Sequence, residues 1–97
     1  MYVILTSKSG QFRTECGVDL RPVETWDYVF CGRKRAQFVI AELLRDTKVR
    51  IVDESTPPVI NLVPSKLLPR FDSVDDARSN LRKLAGVPSA DLRLTQD

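Results

Sequence analysis

Two thiols, two pairs of adjacent carboxylates and one run of three cations are the groupings in this sequence best suited to chemistry. Cys16 and Cys31 are fifteen residues apart and belong to no CxxC pair, and the chain has no histidine. Two thiols cannot supply the four ligands of a structural zinc or iron–sulfur site. Without histidine there is no imidazole ligand, proton shuttle or Ser-His-Asp triad. The expectation is therefore a protein with no metal and no cofactor. Cys31 precedes Gly32 beside three cations, a setting that favours thiolate, but a nucleophile needs a base, and histidine is unavailable. A half-buried strand cysteine is the simpler reading. Asp53 and Glu54 are neighbours in an extended run, so their side chains point to opposite faces. Asp75 and Asp76 fit the first turn of a helix, where negative charge is favoured. Neither pair reads as a catalytic acid and base, and Asp72, Asp75 and Asp76 lack the spacing and glycine of a calcium loop. Gly10, Gly17, Gly32 and Gly86 are isolated, so no loop cradles phosphate. No catalytic, cofactor-binding or metal-ligating residue is assigned; the missing inventory favours a non-enzyme, and an enzyme acting through carboxylates, a tyrosine or a thiol without histidine is the class left open beside it.

Arg33, Lys34 and Arg35 form the densest charge cluster. They are the candidate contact for an anion or a partner. Trp26, Tyr28 and Phe30 lie just before them and offer stacking faces, as sheet-type RNA binders do. Against that reading stands the charge balance, 15 basic against 13 acidic residues for a net +2, which announces neither nucleic acid nor an anionic membrane. A solvated surface turn beside core aromatics is the simpler account of the three cations.

The elements that would position these groups follow from periodicity. Residues 2–7 are apolar and β-branched and read as a strand; Gly10 permits a turn; residues 11–16 alternate as a half-exposed strand does. Together they predict a hairpin. Residues 25–31 form the next strand, with Trp26, Tyr28 and Phe30 on one face. Gly32 and the three cations then make the turn. Residues 36–44 fit two templates. Ala36, Val39, Ile40, Leu43 and Leu44 make a helical stripe, yet Phe38-Val39-Ile40 suits a central strand, apolar on both faces. Cations in a first helical turn oppose the macrodipole, which favours the strand, followed by a hairpin loop into a strand at 48–53. Pro57 and Pro58 interrupt the ladder. Residues 59–63 continue as an extended apolar segment, and 65–69 suit a single helical turn.

The helix at 74–85 has the fullest set of signals. Ser73 is its cap with Asp76 three residues on. Asp75 and Asp76 open it and Arg82 and Lys83 close it. Val74, Ala77, Leu81, Leu84 and Ala85 share one face, and Gly86 and Pro88 end it. The polar residues 89–97 predict a frayed tail in which Leu92 and Leu94 are able to dock.

Three pieces of the chain, Met1-Tyr2-Val3-Ile4-Leu5-Thr6-Ser7-Lys8, Trp26-Asp27-Tyr28-Val29-Phe30-Cys31-Gly32-Arg33-Lys34-Arg35-Ala36 and Asn61-Leu62-Val63-Pro64-Ser65-Lys66, resemble a group of small bacterial proteins. Some of these are called ferredoxins or ferredoxin subunits of aromatic ring-hydroxylating dioxygenases. This sequence departs from a true ferredoxin, having neither cluster cysteines nor Rieske histidines. The resemblance implies a place beside a bacterial aromatic oxygenase system rather than electron transfer, and no functional residue carries over.

Ninety-seven residues, 42% apolar and 29% charged, suit one globular domain spanning 1–97 that buries roughly 65% of its unfolded surface. No apolar run reaches the ~20 residues of a membrane helix, and the short apolar start lacks a basic leader and a cleavage site. A cytoplasmic protein with reduced thiols is expected. The fold class is α+β, a mainly antiparallel sheet of four or five strands with the 74–85 helix packed on one face. The alternative places a second helix at 33–45 in a split β-α-β layout. The core candidates are Val3, Leu5, Phe12, Trp26, Tyr28, Phe30, Val39, Ile40, Val49, Ile51, Leu81 and Leu84. The functional expectation is a small non-catalytic accessory or protein-interaction protein, the alternative a nucleic-acid-binding module using the cation turn. A protein partner or a homodimer is compatible with the sequence; nucleic acid is less so, and a membrane is not. The uncharged 2–7 strand, if at a sheet edge, would either pair with a second copy or be covered by residues 59–63.

Overall fold

A computed structural model describes residues 1–84 and 90–95. The strands are β1 (Tyr2–Ser7), β2 (Phe12–Glu15), β3 (Leu20–Phe30), β4 (Arg33–Leu43), β5 (Lys48–Asp53), β6 (Val59–Pro64) and β7 (Ala90–Thr95), with one helix, α1 (Val74–Leu84). They form two antiparallel sheets, β1-β4-β3-β7 and β2-β5-β6. The α+β class holds, as a small single domain, but the single sheet expected from the sequence is split in two. Residues 33–43 are strand throughout, so the alternative helix at 33–45 does not form.

β4 is central, paired to β1 on one side and β3 on the other, and both of its faces are covered. Alternation sends Val39, Ala41 and Leu43 to one side with Val3, Leu5, Leu20 and Val49; this layer is the core between the sheets. Ile40 and Phe38 go to the other side with Ile4 and Trp26, against Ala77 and Leu81 of α1. The order is thus helix, four-stranded sheet, three-stranded sheet. An irregularity in β3 between Pro22 and Glu24 makes this possible. One extra residue reverses the alternation, so Leu20 faces the second sheet while Trp26 faces the helix.

The chain changes sheet where the sequence suggested hairpins. The one backbone bridge between the β1 and β2 segments is Lys8–Phe12, with Thr14 of β2 adding two bonds to Thr6 and Ser7; beyond it β1 pairs with β4 and β2 with β5. Residues 44–47 likewise carry the chain from β4 to β5 in the other sheet. Ser65, fully buried, fixes the return: its N–H donates to Thr47 O (2.8 Å) and its Oγ accepts from Thr47 N (3.0 Å). A 3-10 turn, Ser65–Leu67, follows.

Ser73 caps α1, its Oγ accepting from the Asp76 N–H at 3.1 Å. Ala85, Gly86 and Pro88, the expected helix end, lie outside the described residues. Leu84 is 60% exposed and is not a core residue as expected; the inward face consists of Val74, Ala77 and Leu81. Of the tail expected to fray at 89–97, Ala90–Thr95 instead pairs with β3 from Thr25 to Phe30, and Leu92 packs into the helix-side core; 89, 96 and 97 lie outside the described residues. Buried Leu20, Val29, Ala36, Ala41, Val52 and Ala77 complete the core.

β1 does lie at an edge, but residues 59–63 do not cover it, since β6 pairs with β5 in the other sheet. The β1 edge is closed from both ends by other groups. Tyr2 and Phe71 exchange two backbone bonds of 2.8 Å. At the far end Thr14 Oγ1 donates to Thr6 O, and Thr14 N–H donates to Ser7 Oγ. Among the described residues no helix is long and apolar enough to cross a membrane.

Candidate functional site

The turn before the cations is tighter than the sequence suggested. It consists of Cys31 (φ 52°) and Gly32 (φ 75°), the paired left-handed positions that match a two-residue hairpin to strand twist. Cys31 is therefore an exposed turn residue, not a half-buried strand residue. Arg33, Lys34 and Arg35 do not form the turn; they open β4. Nor do they act as one cluster. Lys34 Nζ lies 3.1 Å from Asp27 Oδ1, a buried oxygen that forms an ion pair there but accepts no hydrogen bond among the described residues. Arg35 falls at an irregularity, skipped between the pairs Tyr28–Ala36 and Val29–Lys34. Arg33 and Arg35 are exposed and make no ion pair among the described residues.

Arg35 borders two open clefts. One, of about 360 Å³, also meets Arg13, Lys34 and Glu54. The other, of about 520 Å³, has Tyr28, Phe38 and Leu84 as apolar walls and Lys8 as its second cation. Tyr28 and Phe38 meet edge to face, centroids 6.2 Å apart. This corner is suited to touching an anion, with nothing that activates one.

Three of the four carboxylates in the adjacent pairs have structural partners. Asp53 Oδ1 accepts from Ser55 N (2.9 Å) and Glu54 Oε2 from Gly10 N (3.2 Å). Asp75 pairs with Arg78 at 2.8 Å. Cys16, after β2, has its thiol pushed above its ordinary pKa by desolvation, the wrong direction for a nucleophile. Among the described residues no three histidine, cysteine or acidic side chains converge as a metal site would require.

The densest polar contact is one the sequence reading missed. Arg78 on α1 grips Glu24 on β3 with both ends of its guanidinium, Nε to Oε1 at 2.8 Å and a second bond to Oε2. Trp26 Nε1 donates to the same Oε1 at 3.1 Å. The two partners are fifty-four residues apart, so no local pattern reveals them. The Arg78 hydrogen bond, aided by Trp26, holds Glu24 below its ordinary 4.5, while desolvation opposes it. A lowered carboxyl pKa contributes stability above the unfolded value that is lost as pH falls through the folded one. Urea unfolding of the wild type and Glu24→Gln at a series of pH values is expected to show the largest difference above pH ~5, closing below the unfolded carboxyl value near ~4.3. A pH-independent difference would assign the effect to packing.

The third feature is an edge. Among the described residues β6 pairs with β5 alone, and Val59, Ile60 and Leu62 are 51%, 50% and 58% exposed. Its hydrogen-bond phase is fixed by Ser65, whose N–H bonds Thr47 O on the β5 side. Alternation then turns Val59, Asn61 and Val63 toward β5, and Ile60 and Leu62 away from it. The N–H and C=O of Ile60 and Leu62 therefore face outward, and neither residue bonds another group among the described residues. Compared with protein-family models, curated proteins and solved structures, the chain matches none.

Proposed function

We propose that this protein is a small non-catalytic interaction protein that takes a partner strand along β6. The observation that carries the reading is the combination on one edge of two outward N–H groups, two outward C=O groups and three half-exposed apolar side chains. Edges are ordinarily blunted by charge, by proline, by bulges or by cover; β6 has no charged residue, and its prolines, Pro58 and Pro64, stand at its ends and leave residues 59–63 open. Main-chain bonds would give such a complex its affinity, and the alternating side chains its selectivity. In the setting the resemblance implies, it serves in the cytoplasm as an accessory to a bacterial aromatic oxygenase system.

Contact with nucleic acid through Arg33, Lys34 and Arg35 is the weaker reading. Lys34 is already paired with Asp27, and two free arginines give a salt slope of only about −2.

Leu62→Lys tests the edge. The site is exposed, so the variant is expected to keep its circular dichroism spectrum. In affinity capture after chemical cross-linking in the native host, which holds weak complexes, it is expected to lose, at least tenfold, a protein retained by the wild type, a second copy of the chain included. Equal retention would remove β6 as the binding edge.

A further inference from the structure

We infer that the strand accepted by β6 is the β6 of a second copy, paired antiparallel about a two-fold axis at Asn61. The inference rests on the reading of β6 as an interaction edge and names its occupant. The outward residues, Ile60 and Leu62, stand one position on either side of Asn61. An antiparallel copy centred there sets Ile60 opposite the partner's Leu62 and Leu62 opposite the partner's Ile60. Each is then a hydrogen-bonded pair that exchanges two bonds, so four bonds use every outward donor and acceptor of both residues. Val59 falls opposite the partner's Val63, apolar against apolar.

Charge does not oppose the pairing, because β6 has none and self-pairing sets no like charges face to face. Pro58 precedes the strand and Pro64 closes it. Neither has an N–H to leave unsatisfied, so the ladder ends where the free edge ends. The product is a continuous six-stranded sheet in the order β2-β5-β6-β6-β5-β2, isologous as a two-fold interface requires. The contact is small. Three half-exposed side chains offer roughly 300 Å² per copy, against the ~800 Å² of a standard interface. Association is therefore weak and reversible, on the order of 100 µM.

The test uses the full chain with Cys16→Ser and Cys31→Ser, carrying either Asn61→Cys or Val59→Cys. At the two-fold axis the Asn61 positions form a non-hydrogen-bonded pair with Cα atoms ~4.5 Å apart, within reach of a disulfide. The Val59 positions are four residues out of register, ~13 Å apart along the strand. Under mild oxidation at 200 µM, Asn61→Cys is expected to form covalent dimer at least tenfold faster than Val59→Cys. Sedimentation of the wild type is expected to show reversible dimer, which Leu62→Pro weakens at least fivefold by removing an outward N–H that its own sheet does not use. Equal cross-linking rates, or a wild type monomeric at 500 µM, would overturn self-pairing. If Leu62→Lys still loses a captured protein in that case, the edge serves a different partner and the interaction reading stands; if it does not, both fall.

Discussion

Replacing Ile40 with alanine is expected to destabilise the protein by about 3–4 kcal/mol, read as a lower urea midpoint with an unchanged slope. Ile40 is fully buried at the centre of the helix-side core. It pairs with Ile4 of β1 and Glu24 of β3 and faces Ala77 and Leu81 of α1. Its neighbours are fixed by two ladders and a helix, so they cannot easily collapse into the space left by truncation, and the cavity cost adds to the lost transfer energy. For a domain whose whole stability is about 5–15 kcal/mol, that is a large fraction. A loss below about 1 kcal/mol, typical of sites off the packed core, would mean that α1 is not seated over β4. The Glu24–Arg78 pair beside it has a different role. It is partly exposed and orients the helix more than it stabilises it.

The sequence made the local elements legible and left the pairing hidden. Alternation and capping mark β1, β5, β6 and α1 because each is apolar on one side or fenced by prolines, glycine or a serine cap. β4 fits both helix and strand because its two faces pack on different layers, which erases the alternation that would identify it. Period two cannot say which strand a strand pairs with. The 8–11 turn therefore looks like a hairpin tip although it joins two sheets, and the Thr14 hydroxyl takes a carbonyl that a ladder N–H would have bonded. β7 was concealed by composition: Arg93 and Thr95 lie among its apolar positions, and only the spacing of Leu92 and Leu94 hints at a strand. The candidate cations suffered from the same limit. Three adjacent charges read as one cluster, while a cross-strand aspartate and an irregularity in pairing divide them. The β6 edge was visible as an apolar run between prolines. Which of its backbone groups point outward required the register.

Ala77→Asp is expected to have the larger effect, about 4 kcal/mol or more, because it combines overpacking with a buried, unpaired charge. Ala77 is fully buried between α1 and the four-stranded sheet, and its small side chain lets the helix approach. Arg78, the next residue, already serves Glu24 and Asp75 and points from a different part of the helix surface, so it cannot neutralise the new carboxylate. The variant is expected to lose helical signal in circular dichroism at pH 7 and to recover part of it as the pH falls and the carboxyl protonates, because a neutral acid is less costly to bury. Val3, Leu5, Ala41 and Val49 belong to the separate cluster between the two sheets, on the side of the four-stranded sheet away from Ala77 and Leu81. Amide exchange at Val49 separates two routes. If α1 alone detaches, protection at Val49 exceeds that in the helix; if the layers unfold together, both fall in step. The second result is expected, because Ile4, Trp26, Phe38 and Ile40 would be left bare on the exposed sheet face.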